Sequence, residues 1–275
     1  MTELLRFSDQ PELHDPTLIV AWESDAANLG SRVTEYLKTS LNAKAFCEID
    51  PVEFFPLGGV AIENDVVQFP QSTFYACPEC DLIIFQSTVP RYELFKFLNL
   101  IMDIAQKYYH AREMYAIGGM VTLNAHTTPR DSWATFNSPQ IKRILSPYQL
   151  SREMNYETPP GGHPTLNSYL LWVAKKRDFA AATLWVSIPF YLISTADPAA
   201  YKKVLEFFDN RVDLNLDFDG IDVAIRQQNE KLGQLRQSYP EIDEYIRKLE
   251  DNQRLNEEEH EKIIRAVDDC LRQKN

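Results

Sequence analysis

The chain has 275 residues, 44% of them hydrophobic, enough to bury a sizeable core without covalent staples. Its 40 acidic against 28 basic residues give a net charge of -12, which repels phosphate backbones and leaves no basic footprint for nucleic acid or an anionic membrane. The first 30 residues hold no basic start followed by an apolar run, so Cys47, Cys77, Cys80 and Cys270 are expected as free thiols in a reducing cytoplasm, with no disulfide framework.

Residues 1–16 are polar, carry Pro11 and Pro16, and read as a loosely held lead-in. Thr17–Trp22 is a β-branched and apolar run that predicts a strand, and Leu29, Val33, Tyr36, Leu37 and Leu41 recur at helical spacing after it. Lys44–Ile49 reads as a second strand and Val66–Phe69 as a short edge or hairpin strand. Asp81–Phe85 is apolar without alternation, as a strand buried on both faces of a parallel sheet requires. Leu94, Phe95, Leu98, Ile101, Met102, Ala105 and Tyr109 predict a helix over 92–109. Met114–Ile117 then reads as a strand that ends in a tight turn at Gly118-Gly119.

Further helices are expected over 139–145 and 165–177. The 18-residue uncharged stretch 179–196 is interrupted by Thr183, Ser187, Pro189, Ser194 and Thr195, and reads as a buried strand (180–188) with its loop rather than a membrane span. Residues 198–211 form a helix with Pro198 at its first position. Beyond Asp219 no strand pattern remains. Three helical segments follow, the last opened by an Asn256/Glu259 capping box and supported by Glu258–Lys262 and Glu261–Arg265 pairs.

Strands alternating with helices predict a three-layer α/β/α sandwich with a Rossmann-like, mostly parallel sheet. The expected division is a lead-in at 1–16, the sandwich domain at 17–217 and an acidic helical C-terminal extension at 218–275.

The order of several segments resembles the proteasome assembly chaperone family, second type, in its bacterial branch. They are Leu18–Trp22 followed by Ser24–Asn28, the acidic and aromatic Phe46–Phe55, and Ile117–Gly119 ahead of His126-Thr-Thr-Pro-Arg130. Pro160–Gly162 before Leu170-Leu171 and Ser187–Ile193 running to Asp197–Ala200 complete the set. The resemblance covers most of 15–235. It implies a Rossmann-like three-layer fold, self-association and, as in eukaryotic and archaeal members, the handling of proteasome α subunits. Phe190 stands where some bacterial relatives have histidine. The chain ends Leu271-Arg-Gln-Lys-Asn275 rather than in the hydrophobic-tyrosine tail of some archaeal relatives, so tail docking is not implied.

His126, Thr127 and Arg130 follow the Gly118-Gly119 pair at the carboxyl edge of a central strand, where α/β sheets bind ligands, and Asp25 and Asn28 follow the first central strand. These seven residues outline a pocket for a small anion or carboxylate; the plainer reading has them bonding loops together or lining a subunit interface. One histidine without a matched nucleophile defines no reaction, so no catalytic residue is assigned. Cys77-Pro-Glu-Cys80 has redox or metal spacing, but no second pair supplies four zinc ligands. Gly58-Gly59, Gly118-Gly119 and Gly161-Gly162 match no phosphate loop and read as turns.

The two stripes of the extension (Ile242, Tyr245, Ile246, Leu249; Ile263, Ile264, Val267, Leu271) offer a face to a partner helix. The reading is therefore a self-associating, protein-binding assembly factor without cofactor or metal, its partners protein subunits such as those of the proteasome. The alternatives are an enzyme or small-molecule binder on a phosphorylase- or hydrolase-like fold, built on Asp25, His126 and Arg130, and a homo-oligomer whose tail serves self-assembly alone.

Overall fold

Apolar runs of five or six residues cannot leave either face in water, and here they form the middle of an eight-stranded sheet. A computed structural model describes residues 4–23, 25–56, 61–63, 65–148, 150 and 162–272. The strands are β1 (Leu5–Phe7), β2 (Thr17–Trp22), β3 (Lys44–Ile49), β4 (Ala61–Glu63), β5 (Val66–Gln68), β6 (Ser72–Cys77), β7 (Leu82–Ser87), β8 (Glu113–Thr122), β9 (Ser132–Phe136) and β10 (Ala181–Pro189). The helices are α1 (Leu29–Ser40), α2 (Leu94–Asp103), α3 (Pro139–Ile144), α4 (Leu166–Lys176), α5 (Pro198–Val212), α6 (Asp219–Ser238), α7 (Pro240–Glu250) and α8 (Glu257–Arg272).

Among the described residues the sheet order is β1-β3-β6-β7-β2-β8-β10-β9, and β4 and β5 form a separate hairpin. β7, β2, β8 and β10 are parallel neighbours, while β6, β3 and β1 on one side and β9 on the other add antiparallel edges. The three-layer α/β/α expectation holds, but the sheet is mixed rather than mostly parallel, with three parallel and four antiparallel pairings among the described residues. Side chains alternate between two cores: Ile19, Ala21, Leu82, Ile84, Tyr115 and Ile117 face α1, α5 and the C-terminal helices. Leu18, Val20, Ile83, Phe85, Met114 and Ala116 face α2 and α4. Double-sided burial of this kind explains the uninterrupted apolar runs.

Local sequence sets most helix starts. Asp197 accepts the Ala200 N–H ahead of Pro198, Thr165 accepts the Ser168 N–H, and Asn256 and Glu259 exchange side-chain-to-backbone bonds of 2.9 and 2.8 Å as a capping box. The helix expected to 109 is regular to Asp103 and continues as one π-turn over Ile104–Tyr108.

Three expectations change. The lead-in is not loose at its start, because Leu5–Phe7 pairs antiparallel with Cys47–Ile49 as the sheet's edge. β6 and β9 join the sheet unannounced, although both carry strand-favouring Thr and aromatic residues; they pair with β3 and β7 and with β10. Gly118-Gly119 is not a turn, since β8 runs through both to Thr122. A Cβ on Gly118 would lie 2.5 Å from the Trp185 ring of β10, and one on Gly119 2.7 Å from Ile188 and 3.0 Å from Ala26. Close packing across the sheet, not left-handed backbone, demands glycine there. The pair Gly58-Gly59 and Gly161 lie outside the described residues.

Gly118→Ala is expected to lower unfolding stability by about 1–3 kcal/mol through overpacking against Trp185. Gly233→Ala, in the middle of α6 with nothing within 4 Å of the new Cβ, is expected to raise it by roughly 0.5–1 kcal/mol. Urea unfolding of both variants checks the contrast.

Candidate interaction surface

The residues expected to form an anion pocket do gather at the carboxyl ends of β2, β8 and β10, yet their polar groups are turned on one another. Arg130 donates Nε and Nη2 to the two Asp197 oxygens at 2.8 and 3.2 Å, and Nη1 to the carbonyls of His126 and Thr128 at 3.1 and 2.8 Å. The side chains of Arg130 and Asp197 are 5% and 0% exposed. A guanidinium engaged on three sides and shielded from water holds the 123–131 loop against the start of α5, and offers no face to a free anion.

His126 is buried beside this pair. Tyr191 Oη accepts the His126 backbone N–H at 2.5 Å and lies 2.9 Å from Nδ1. Burial, then the charges of Arg130 and Arg236, push the imidazole down to about 4. A neutral ring that accepts the Tyr191 hydroxyl proton at Nδ1 satisfies both groups. Thr127 donates to Glu250 Oε1 at 2.8 Å, and Arg236 clamps the same carboxylate at 2.8 Å together with Asp243 at 2.6 Å. The loop after β8 is thereby joined to α5, α6 and α7.

Asp25 is the exception. Its Oδ2 accepts the Gly30 N–H at 2.9 Å, but its Oδ1 is buried without a hydrogen-bond partner among the described residues. Burial raises the carboxyl from 3.8 to about 7, against the lowering effect of nearby backbone N–H groups. Asn28 is exposed, in left-handed backbone (φ 51°), two residues beyond Ala26, which packs on Gly119. The Ala27 N–H donates to Ile193 O at 2.8 Å and ties the loop after β2 to the loop after β10. Sequence reasoning missed Asp197 and Tyr191, the residues that occupy the partners' donors and acceptors. The helix start was read from Pro198 alone; Asp197 caps it and is also the arginine's counter-ion, a long-range pairing.

The helix stripes expected to meet a partner are also turned inward. Ile242, Tyr245, Ile246, Leu249, Ile263 and Val267 are buried in the same core as β2 and β10, with Ile264 and Leu271 partly buried beside them. His260 stacks on Phe190 with ring centroids 4.4 Å apart, so α8 packs directly on the turn after β10.

Many of the exposed large apolar side chains lie at one end, while Phe7, Tyr108, Ile144, Val223 and Tyr239 are exposed elsewhere. Register places Ile49, Ser72, Ser87, Thr122 and Pro189 at the same end of the sheet. The chain segments there expose Val52 (74%), Phe69 (63%), Val89, Tyr92, Val121, Leu123 and Ile193, and the β4–β5 hairpin adds Ile62 (72%), Val66 and Val67. Phe95 on α2 and Trp172 on α4 are also exposed, their rings 5.9 Å apart. Single exposed apolar residues are ordinary, and it is their recurrence on successive loops that sets this end apart. Among the described residues no group of three or more His, Cys, Asp or Glu side chains is placed to hold a metal, and no helix is long and apolar enough to cross a membrane.

The PAC2 family profile matches residues 18–236. The chain belongs to the PAC2 family. No curated protein matches it significantly. Its fold is similar to a Corynebacterium glutamicum protein of unknown function at TM-score 0.77 and 19% identity, over 90% of this chain and 96% of that one. It is similar to the Mycobacterium tuberculosis proteasome-assembly chaperone homologue Rv2125 at TM-score 0.70 and 17% identity, over 84% and 99%. Pyrococcus furiosus PbaB, an archaeal proteasome activator, superimposes at TM-score 0.68 and 23% identity, over 84% and 98%. The PAC2 match ends within α6, so α7 and α8 lie beyond the family profile while sharing this protein's core.

Two expected outcomes follow from this geometry. Arg130→Ala leaves Asp197 buried and unpaired and is expected to cost about 3–5 kcal/mol, read by urea unfolding. Asp25 binds its proton more tightly folded than unfolded, so its protonated form contributes stability in full below 3.8, and that contribution is lost as pH rises through about 7. Asp25→Asn should therefore match the parent in Tm below about pH 4 and exceed it by a margin that grows as pH rises to about 7 and levels off above it, in thermal scans across that range.

Proposed function

We propose that this PAC2-family protein is a protein-binding assembly factor that self-associates through the apolar rim at the carboxyl end of its sheet. The observation that carries this reading is the rim itself: in a chain of net charge -12, three of its residues are more than 60% exposed and apolar. Burying such a surface is worth roughly 25 cal/mol per Å², and the acidic remainder of the molecule keeps association from spreading beyond that one face. The inward-turned polar groups around Arg130 support binding over catalysis, since a general acid or base needs a group free to meet a substrate. Proteasome subunits are the proposed client class. PAC2 membership supports this reading, as does the shared fold of Rv2125, a proteasome-assembly chaperone homologue, and PbaB, a proteasome activator. A soluble cytoplasmic setting accompanies it.

The division proposed from sequence gains a functional sense here. Helices α6–α8 brace the loops after β8 and β10, and leave available the part of the rim carried by the segments after β3, β5 and β7. Light scattering on the eluting full chain tests the self-association. A mass that is a multiple of the monomer's is expected. Val52→Lys with Phe69→Lys should shift it toward the monomer with an unchanged circular dichroism spectrum. A monomeric parent, or an oligomer indifferent to these charges, would refute the rim as its interface.

A further inference from the structure

The Cys77-Pro-Glu-Cys80 corner takes no part in the surface described above. β6 ends on Cys77, in extended backbone (φ -119°, ψ 96°) opposite Leu82 across the β6–β7 hairpin. Pro78 then opens a single 3-10 turn, closed by Asp81 in left-handed backbone (φ 45°). The turn folds the second cysteine back over the first, so that the two Sγ atoms lie 3.0 Å apart. An S–S bond is about 2.05 Å long, so an approach of about 1 Å separates these two sulfurs from one. Access is unequal: Cys77 is 3% exposed in the core, and Cys80 is half-buried at its margin. Neither of the other cysteines competes for them, because Cys47 is buried in the opposite core and Cys270 is on α8.

The surroundings set the rate and direction of any exchange. Burial, the adjoining Cys77 and the charges of Glu79 and Asp81 push the Cys80 thiol up to about 12. Little thiolate exists at neutral pH, so attack on a disulfide is slow. The reduced form also lacks the thiolate stabilisation that makes other Cys-x-x-Cys pairs strong oxidants, so a disulfide formed here resists reduction. This is the chemistry of a staple rather than of a turnover catalyst.

We propose that Cys77 and Cys80 are a redox-modification site, a dithiol that low-molecular-weight disulfides convert into an intramolecular disulfide. The Cys80 thiol loses its proton to water and attacks one sulfur of glutathione disulfide, breaking that S–S bond and releasing one glutathione thiolate. Cys77 in turn loses its proton and attacks Cys80 Sγ. The Cys77–Cys80 bond forms and the second glutathione leaves. Two protein thiols are oxidised, and the two electrons and two protons end on two reduced glutathiones. The bond fixes a corner on which the sheet's first central strand depends: Asp81 Oδ1 accepts the His14 N–H at 2.7 Å and its carbonyl accepts the Thr17 N–H at 2.9 Å. A loop this short removes little chain entropy, so the proposal is read chemically rather than from Tm.

The test equilibrates the full chain with glutathione at graded ratios of reduced to oxidised form, quenches it in acid, unfolds it, labels free thiols with a maleimide and weighs it intact. The expected product is lighter by two hydrogens, carries labels on Cys47 and Cys270 alone, yields a peptide joining residues 77 and 80, and persists in about a tenfold excess of reduced glutathione. Cys77→Ala should instead trap glutathione on Cys80, and Cys80→Ser should leave Cys77 unmodified. Accumulation of a glutathione adduct on the unaltered chain, or four labelled thiols after equilibration, would overturn the proposal. The intact-mass result on the unaltered chain decides it even if either variant folds poorly.

Discussion

The buried ion pair between Arg130 and Asp197 is the constraint on which the carboxyl end of this sheet depends. Desolvating a guanidinium and a carboxylate is costly, and the cost is offset only when every donor finds an acceptor. Here that requirement fixes the loop after β8 to the two carbonyls it must present and to the cap of α5. Asp197 serves twice, as helix cap and as counter-ion, so the helix cannot shift without exposing the arginine. His126, Tyr191 and Glu250 extend the arrangement to α6 and α7.

A consequence for function follows directly. Much of the crevice where open α/β sheets commonly place ligands is filled by the protein's own groups, and Asn28 and Arg32 line a cavity of about 400 Å³ beside Ser194–Ala196. Ala26 against Gly119, Trp185 against Gly118 and the Ala27–Ile193 hydrogen bond draw β2, β8 and β10 together where a ligand would otherwise enter. Asp25 Oδ1 aside, the polar residues around Arg130 are satisfied internally, and Val52, Phe69, Tyr92, Val121 and their neighbours stand exposed beside the charged Glu53 and Arg91. The C-terminal helices reinforce this division of labour, since their apolar stripes complete the core on one face of the sheet while α2 and α4 cover the other.

Much of the fold was legible in the sequence, because it rests on periodicities that burial imposes directly. The apolar runs at 17–22, 81–85 and 180–188 are strands because both faces are covered, and the stripe beginning at Leu29 is a helix because one face is. The candidate site was legible only as a neighbourhood. Asp25, His126, Thr127 and Arg130 do meet at one end of the sheet, but no local pattern reveals that Arg130 reaches Asp197, 67 positions away. Gly118 and Gly119 misled for a related reason: the residue that excludes a side chain there, Trp185, also lies 67 positions beyond Gly118.

The sequence by itself determined the α/β class, the order of most elements, the Asn256/Glu259 capping box and the acidic surface, all properties of residues within a turn or two of one another. Tertiary structure alone decided that β6 and β9 are strands, that the C-terminal stripes are core, and that the polar cluster closes on itself while the apolar rim stays open. Those outcomes depend on which distant groups compete for the same hydrogen bond or the same buried area. That competition is settled only when the chain is folded, because the competing groups are remote in sequence.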